Sequence, residues 1–145
     1  MAGDPGCFLK IRIEDRLPFV TVTLAQGDRA IVLEHVLLDT GSAGTMFSVD
    51  ELATIGIVPE PNDALRRVVG VGGSEFVLAK KIERLALGDI ELREFPIQVG
   101  AMDYGFQIQG LLGTDFFTQA GVVLDLARLE VYPGSRSPRE KQKGS

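Results

Sequence analysis

The sequence lacks the residues on which several kinds of site depend. Cys7 is the only cysteine among 145 residues, so no internal disulfide can form and a reducing, cytoplasmic compartment suits the chain. His35 is the only histidine, and no spacing of carboxylates makes up for missing imidazoles, so we expect no metal site and no cofactor. No apolar run approaches the ~18 residues of a membrane span, and the first six residues are too polar for a signal peptide.

Charge is distributed unevenly along the chain. The net charge is −5, but residues 133–145 carry four basic residues and one acidic residue, which leaves −8 on residues 1–132. Such an acidic body argues against nucleic acid as a partner. With 45% hydrophobic residues, a chain of this length supports one core rather than two. We therefore expect one domain over residues 1–132 and a disordered basic tail over residues 133–145.

Short strands separated by turns dominate the predicted secondary structure. Apolar and polar residues alternate at residues 9–13 and 20–24, which is the period of a half-buried strand. Turns are predicted at residues 26–28 (Gln-Gly-Asp) and 88–89 (Gly-Asp). Residues 48–51 (Ser-Val-Asp-Glu) form the capping-box pattern of a short helix. These signals predict an all-β closed barrel or sandwich with one or two short helices.

The sequence Asp-Thr-Gly-Ser at residues 39–42 follows an apolar run at residues 36–38. An aspartate at the sharp turn after a buried strand is what one half of an aspartic dyad requires. Because a dyad needs two carboxylates that share one proton, a chain with a single Asp39 can supply it only as a symmetric dimer. Asp, Gly and Ser are also ordinary turn residues, so a polar turn between two strands is the alternative.

A glycine-rich segment, Val-Gly-Val-Gly-Gly, occupies residues 69–73 between two β-prone arms. Glycine permits the positive φ angles of a tight hairpin turn, and a tip without side chains can lie close to a peptide backbone. A phosphate-binding loop fits poorly, because no Gly-Lys-Ser/Thr follows. A plain hairpin is the alternative to a hairpin that contacts substrate.

Residues 110–113, Gly-Leu-Leu-Gly, repeat the arrangement that precedes Asp39, with two apolar residues before a turn. The pattern indicates a strand–turn unit used twice. Thr114 or Asp115 is a candidate N-cap for a short helix that Gly121 would end. A strand, a turn and a helix without further function fit the same residues.

In combination, these motifs make the chain from about residue 17 to residue 126 resemble the retropepsins, the single-domain aspartic proteases of retroviruses and their cellular and bacterial relatives. The matching segments occur in the family's order: an early strand at 17–22, the active-site motif at 37–41, the flap tip at 69–73, the hydrophobic-hydrophobic-Gly element at 110–113 and a short helix at 116–121. The resemblance implies a retropepsin-like closed β-barrel with a glycine-rich flap hairpin.

The resemblance further implies an aspartic endopeptidase that acts as a homodimer on extended polypeptide segments with apolar residues at the cleaved bond. Its catalytic residues would be Asp39, Thr40 and Gly41. Substrate contacts would come from the flap tip and from both strand–turn units: Leu37, Ser42, Ala43, Val69, Gly70, Val71, Gly72, Gly73 and Leu111. The dimer seam would use strands at residues 8–13 and 129–132.

Two departures from the family pattern concern the dimer. Viral members usually carry Arg after the hydrophobic-hydrophobic-Gly element and Asp two residues after the motif Gly, and these two side chains pair and brace the dimer. Here the positions hold Thr114 and Ala43. A retropepsin-like dimer that binds peptides or supports assembly without cleaving them is therefore the alternative function.

A third departure concerns the pH at which the site would be most active. Ser42 stands where viral enzymes usually have Ala, as in the Asp-Thr-Gly-Ser form of cellular aspartic proteases. A hydroxyl that hydrogen-bonds the ionised dyad would give an acid-shifted pH optimum relative to a Ser42→Ala variant.

A Ser-His-Asp triad built from Ser42 and His35 would be a different class of site. Nothing like a nucleophile elbow surrounds Ser42. We therefore expect His35 to be an outward-facing residue of a strand.

Overall fold

The computed structural model describes residues 9–70, 73–102 and 107–134, which fold mainly into β-strands. The strands are β1 (Leu9–Lys10), β2 (Arg12–Glu14), β3 (Leu17–Gln26), β4 (Arg29–Leu38), β5 (Met46–Ser48), β6 (Leu65–Gly70), β7 (Gly73–Leu87), β8 (Ile90–Gly100), β9 (Gly110–Leu112), β10 (Val122–Asp125) and β11 (Glu130–Pro133). Two short helices lie between them, α1 (Val49–Ala53) and α2 (Thr114–Ala120).

The strands form two sheets. Eight of them follow the order β2-β3-β4-β9-β5-β8-β7-β6, and a further pairing between β3 and β7 closes the sheet into a ring. The remaining three form a small sheet in the order β1-β11-β10. The expectation of an all-β closed architecture with one or two short helices is confirmed.

Two parallel pairings interrupt the antiparallel pattern. In β4 and β9, Val36 pairs with Gly110 and Leu38 with Leu112, while β5 runs parallel to β8. Gly110 lets β9 pack closely against Phe47 of β5, because a Cβ at residue 110 would lie 2.3 Å from Cδ1 of Phe47. The two strand–turn units seen in the sequence therefore lie side by side and end at the same level.

Buried apolar side chains form two clusters. The larger cluster includes the fully buried side chains of Phe47, Phe95 and Phe116. Phe95 and Phe116 contact each other edge to face, with their aromatic centroids 6.1 Å apart. The smaller joins β3, β5, β7 and β9 through the buried residues Phe19, Met46, Val77, Met102, Ile108 and Leu111, with Leu17, Leu37 and Val68 packed against them.

Local turn predictions agree with the structure. Gly27 and Gly88 both have a φ of 61° in the turns before β4 and β8, and Gly121 ends α2 in the left-handed region with a φ of 67°. Positive φ values strain residues that carry a Cβ, so glycine is the residue that suits these positions. These three predictions are confirmed.

The capping box at the start of α1 is only half formed. The hydroxyl of Ser48 accepts hydrogen bonds from the amides of Asp50 (3.2 Å) and Glu51 (3.5 Å), as predicted. The carboxylate of Glu51 does not bond back to Ser48. It accepts instead from Nε2 of Gln109 (3.1 Å), while the Ser48 amide donates to the Gln109 carbonyl (3.0 Å). A contact with Gln109, the residue before β9, thus replaces the expected local bond.

The two terminal segments pair with each other. β1 runs antiparallel to β11, with Leu9 opposite Val131, and the amide of Ile11 donates to Leu129 O at 2.8 Å. β11 ends at Pro133, which pairs with Val122. Neither of the two helices in the described part of the chain has the length and apolar character needed to cross a lipid bilayer.

Candidate active site

The Asp39 carboxylate stands on the turn where β4 ends beside β9. The amide of Asp39 donates to Leu112 O at 3.0 Å, which extends the parallel pairing by one bond beyond Leu38. After this bond the chain turns sharply, because the amide of Ser42 donates back to Asp39 O at 3.0 Å. These two bonds fix the backbone of Asp39, and the residue is half-buried, so part of it keeps access to solvent.

Within this turn the carboxylate has one local donor. The amide of Gly41 donates to Asp39 Oδ1 at 3.1 Å, and a Cβ at Gly41 would lie 3.4 Å from the same oxygen. A backbone N–H aimed at a carboxylate oxygen fixes the orientation of that carboxylate. Thr40 and Gly41 are both exposed next to it, and all three predicted catalytic residues occupy one tight turn.

The hydroxyl of Ser42 is not a partner of the carboxylate. Its Oγ donates to Gly44 O at 2.8 Å, so its single proton is used within the loop. The expectation that this hydroxyl hydrogen-bonds Asp39 is wrong for this structure. The physical reason is that the loop curls back after Ser42 and presents a carbonyl to it.

The segment after β9 holds the loop that carries Asp39 along its length. The amide of Thr114 donates to Ser42 O (2.8 Å) and that of Asp115 donates to Ala43 O (3.2 Å). The hydroxyl of Thr114 donates to Thr40 O at 3.1 Å. The residues that stand in place of the viral ion-pair brace thus join the two strand–turn units by hydrogen bonds within one chain.

Gly113 permits this close approach. A Cβ at this position would lie 2.7 Å from Gly44 O and 2.8 Å from Ser42 O, which is closer than real Cβ atoms come to backbone oxygens. Gly113 has a φ of −101°, so the requirement is for space and not for an unusual backbone conformation. The hydrophobic-hydrophobic-Gly element is therefore needed to seat the loop against α2.

The side chain of Asp115 binds the far end of the loop. Its Oδ1 accepts from the hydroxyl of Thr45 (2.8 Å) and its Oδ2 accepts from the amide of Thr45 (3.2 Å). The expectation that Thr114 or Asp115 is the N-cap of α2 is wrong. Gly113 is the N-cap and has no side chain with which to bond the first amides of α2. The hydroxyl of Thr114 bonds Thr40 O and the carboxylate of Asp115 bonds Thr45, both far away in sequence.

The predicted flap is a hairpin of β6 and β7. Their register runs from Leu65 opposite Leu78 to Gly70 opposite Gly73. Within the predicted tip, Val69, Gly70 and Gly73 belong to the paired strands, whereas Val71 and Gly72 lie outside the described residues.

Two valines of this hairpin pack against β4 and β9, the strands that lead to the Asp39 turn and to Gly113. Val68 and Val77 belong to the same apolar cluster as Leu37 and Leu111, the two described residues that we expect to line substrate pockets. Leu37 is half-buried, whereas Leu111 is only 7% exposed. In a single chain, Leu37 therefore presents more surface to a ligand than Leu111 does.

The model of one protein family, described as aspartyl protease, matches residues 20–116, about two thirds of the chain. That range contains the Asp39 turn, the hairpin of β6 and β7, and the first residues of α2. The chain belongs to the aspartyl protease family. No curated protein matches it.

Family membership agrees with the resemblance to retropepsins on which the site residues were predicted. In this aspartyl protease family member the loop supplies one Asp-Thr-Gly motif per chain, and its carboxylate accepts a hydrogen bond from the backbone amide of Gly41. Within the described residues, no three His, Cys, Asp or Glu side chains are grouped closely enough to hold a metal ion.

His35 and Ser42 do not form a pair in this family member. His35 lies on β4 with its Nε2 3.3 Å from Glu14 Oε1, and its ring contacts the edge of Phe19 at a centroid distance of 5.9 Å. The proton of the Ser42 hydroxyl is directed to Gly44 O. A Ser-His-Asp triad is therefore not assembled from these residues.

A charged cluster joins β7, beyond its pairing with β6, to the loop that precedes β6. The ammonium of Lys80 on β7 lies 2.9 Å from both Glu60 Oε1 and Asp63 Oδ1. The hydrogen bond from Lys80 holds the pKa of Asp63 below its ordinary value, although partial burial opposes this. Burial would lower the pKa of Lys80, but its bonds to Asp63 and Glu60 outweigh that effect and raise it.

Proposed function

We propose that this chain is an aspartic endopeptidase that acts as a homodimer and hydrolyses peptide bonds in extended polypeptide segments. The observation that carries the proposal is the half-buried Asp39 carboxylate on a tight Asp-Thr-Gly turn, held by the Gly41 amide in a chain of the aspartyl protease family. One such carboxylate per chain requires a second copy for a dyad.

In the proposed mechanism two Asp39 carboxylates meet across a two-fold axis and share one proton. The ionised Asp39 takes a proton from a water molecule, whose oxygen attacks the carbonyl carbon of the scissile bond. The protonated Asp39 donates to the carbonyl oxygen, which gives a tetrahedral diol. The C–N bond then breaks as a proton passes to the leaving amine, and one product carries a new carboxyl group.

Substrate binding would use the elements around the turn. We infer that the β6–β7 hairpin binds the backbone of an extended peptide by strand addition. Leu37 and Leu111, which share an apolar cluster with Val68 and Val77 of that hairpin, favour apolar side chains at the cleaved bond. Thr40 would bond across the two-fold axis, and Gly41 would offer backbone groups to the peptide.

The test is cleavage of a peptide library, read by mass spectrometry at high protein concentration from roughly pH 4 to 7. The wild-type chain is compared with Asp39→Asn and with Asp89→Asn, which makes the same chemical change at the exposed turn before β8. We expect cleavage by the wild type and by Asp89→Asn and none by Asp39→Asn.

Dimerisation is measured in the same samples by sedimentation. A dimeric wild-type chain that cleaves nothing would overturn the endopeptidase proposal in favour of a peptide-binding module. Cleavage that survives in Asp39→Asn would overturn the role assigned to Asp39.

A further inference from the structure

The loop that carries Asp39 is held at its start by the last residue of β9 and at its end by the segment that follows β9. At its start, the amide of Asp39 bonds Leu112 O; at its end, Thr45 bonds the side chain of Asp115. We propose that Asp115 is a positioning residue for the Asp39 carboxylate and acts through Thr45. The inference rests on the proposed function, because it names a further residue needed by the same site.

Asp115 accepts three hydrogen bonds, and two of them come from Thr45. Oδ1 accepts from the Thr45 hydroxyl (2.8 Å) and from the amide of Phe116 (2.7 Å), while Oδ2 accepts from the Thr45 amide (3.2 Å). Both oxygens are thus occupied by N–H or O–H donors. Bonds to a charged acceptor are stronger than neutral ones, so this contact fixes Thr45 firmly.

The Thr45 hydroxyl also binds the residue that follows β9. Besides donating to Asp115, it accepts from the amide of Gly113 at 3.1 Å, and Thr45 is fully buried. A buried hydroxyl that both donates and accepts is held in one orientation by its two partners. Asp115, Thr45 and Gly113 therefore form a connected polar network in which Thr45 and Gly113 are buried and Asp115 is half-buried, and the loss of one member leaves a buried partner unsatisfied.

This network adjoins the bonds that place Asp39. Gly113 follows Leu112, whose carbonyl receives the Asp39 amide, and precedes Thr114, whose amide donates to Ser42 O. A shift of Gly113 relative to Thr45 would move both bonds and hence the turn between them. Catalysis depends steeply on placement, since a displacement of about 1 Å can cost about a hundredfold in rate.

The position of Asp115 argues against a purely local role in capping α2. Asp115 is the second residue of α2, and the N-cap is Gly113. One local bond, from the amide of Phe116, would suffice for the helix. The two bonds to Thr45 join residues separated by 70 positions in sequence and tie the helix start to the catalytic loop.

Isosteric variants test the inference. Thr45→Val removes the hydroxyl and leaves Gly113 N–H and Asp115 Oδ1 each without that partner. Asp115→Asn keeps one acceptor oxygen but turns an amide N–H group toward a donor on Thr45. Thr45→Ser keeps the hydroxyl and serves as the rescue. Ser48→Ala is the control, because it removes a hydroxyl that caps α1 and does not touch the loop.

The first readout is steady-state kinetics on a peptide found to be cleaved. We expect kcat to fall about tenfold to a hundredfold in Thr45→Val and Asp115→Asn, with KM nearly unchanged. Thr45→Ser should keep kcat within about threefold of the wild type. Ser48→Ala should lower the melting temperature without lowering kcat. A kcat that follows the melting temperature across all four variants would overturn the proposal.

The second readout does not depend on cleavage. Amide hydrogen exchange is followed by NMR at Asp39 and Ser42, whose amides bond Leu112 O and Asp39 O and make no contact with Asp115. We expect faster exchange at both amides in Thr45→Val and Asp115→Asn, and wild-type exchange in Ser48→Ala and Thr45→Ser. Unchanged exchange in the first two variants would overturn the positioning role, whatever the peptidase assay shows.

These two readouts separate the failure of the positioning role from the failure of the proposed function. A dimeric wild-type chain that cleaves no peptide but shows the expected exchange changes would refute the endopeptidase and support a positioned Asp39 turn. A chain that cleaves peptides and shows no exchange changes would support the endopeptidase and refute the positioning role of Asp115.

Discussion

Leu38 and Leu112 lie opposite each other in parallel register at the ends of β4 and β9. The chain therefore leaves both strands at the same level, toward Asp39 on one side and Gly113 on the other. The backbone bonds that hold the Asp39 turn from outside, such as those from the Asp39 amide to Leu112 O and from the Asp115 amide to Ala43 O, depend on this alignment. The arrangement of the half-site is thus a consequence of one pairing between distant strands.

Replacing Gly113 by alanine should destabilise the chain through steric overlap alone. Its Cβ would lie 2.7 Å from Gly44 O, and backbone on both sides prevents an easy shift. We expect a loss of about 3 kcal/mol in the free energy of unfolding, measured by urea denaturation, together with loss of cleavage. Gly27→Ala is the contrasting control.

Gly27 has open space around it but a φ of 61°. Its replacement should cost only about 1 kcal/mol, from backbone strain, and should leave the site intact. Equal effects of the two substitutions would contradict the close approach of Gly113 to the loop.

Replacing Ser42 by alanine should affect the stability of the chain more than the pH dependence of cleavage. The hydroxyl donates to Gly44 O, and its loss should lower the free energy of unfolding by about 1 kcal/mol. Because no Ser42 proton is directed at Asp39, we expect the pH–rate profile of Ser42→Ala to coincide with that of the wild type. Thr54→Ala, which removes an exposed hydroxyl bonded to Glu51 O, is the matched control for stability.

An alkaline shift of the Ser42→Ala profile would show that the hydroxyl turns toward the dyad in the active dimer. The expectation drawn from the sequence would then hold for the dimer and fail only for the single chain.

Replacing Lys80 by methionine should make the stability of the chain less dependent on pH in acid. Asp63 has a lowered pKa in the folded chain, so its contribution is fully present above its ordinary pKa and is lost as pH falls through the folded value. The difference in stability between wild type and Lys80→Met should therefore be full at neutral pH and shrink below about pH 4.

Lys80 determines how this contribution to stability changes at alkaline pH. Its raised pKa means that its contribution is present below its ordinary pKa and is lost only as pH rises through the folded value. Urea denaturation at several pH values measures both limits. Lys81→Met, at the exposed neighbouring position on β7, should reproduce the wild-type pH dependence, and a pH-independent difference for Lys80→Met would contradict the role of the cluster.

Replacing Ser48 by alanine should cost about 1 kcal/mol of stability, because the α1 amides of Asp50 and Glu51 lose their side-chain acceptor. Replacing Glu51 by glutamine should cost less, since it is not part of a reciprocal cap and a glutamine oxygen can still accept from Gln109. Thermal unfolding of the two variants checks the order. A larger loss in Glu51→Gln would contradict the half-formed capping box.

The features that could be predicted from the sequence are those set within a few residues. The alternation of residues 20–24 predicts β3, whose Val20, Val22 and Leu24 are buried. Gly121 predicts the end of α2, since a left-handed φ suits glycine. The Asp-Thr-Gly motif predicts a tight turn with its own amide-to-carboxylate bond, and the structure contains it.

The errors come from polar side chains whose partners differ from the predicted ones. Ser42 was expected to bond Asp39, but the course of the loop presents the carbonyl of Gly44, two residues further on, to its hydroxyl. Asp115 has the residue type of an N-cap, yet its carboxylate is used by Thr45. A short polar side chain can bond its own backbone or a distant one, and local sequence does not decide between them.

The amino-acid sequence by itself determined the strands, the turns and the single Asp-Thr-Gly motif that carries Asp39, because side-chain periodicity and backbone restrictions act over a few positions. Only the tertiary structure decided what holds that aspartate in place. The parallel pairing of β4 with β9 and the bond between Asp115 and Thr45 join residues more than 60 positions apart. Such contacts depend on which strands become neighbours when the ring closes, and that is a property of the whole chain.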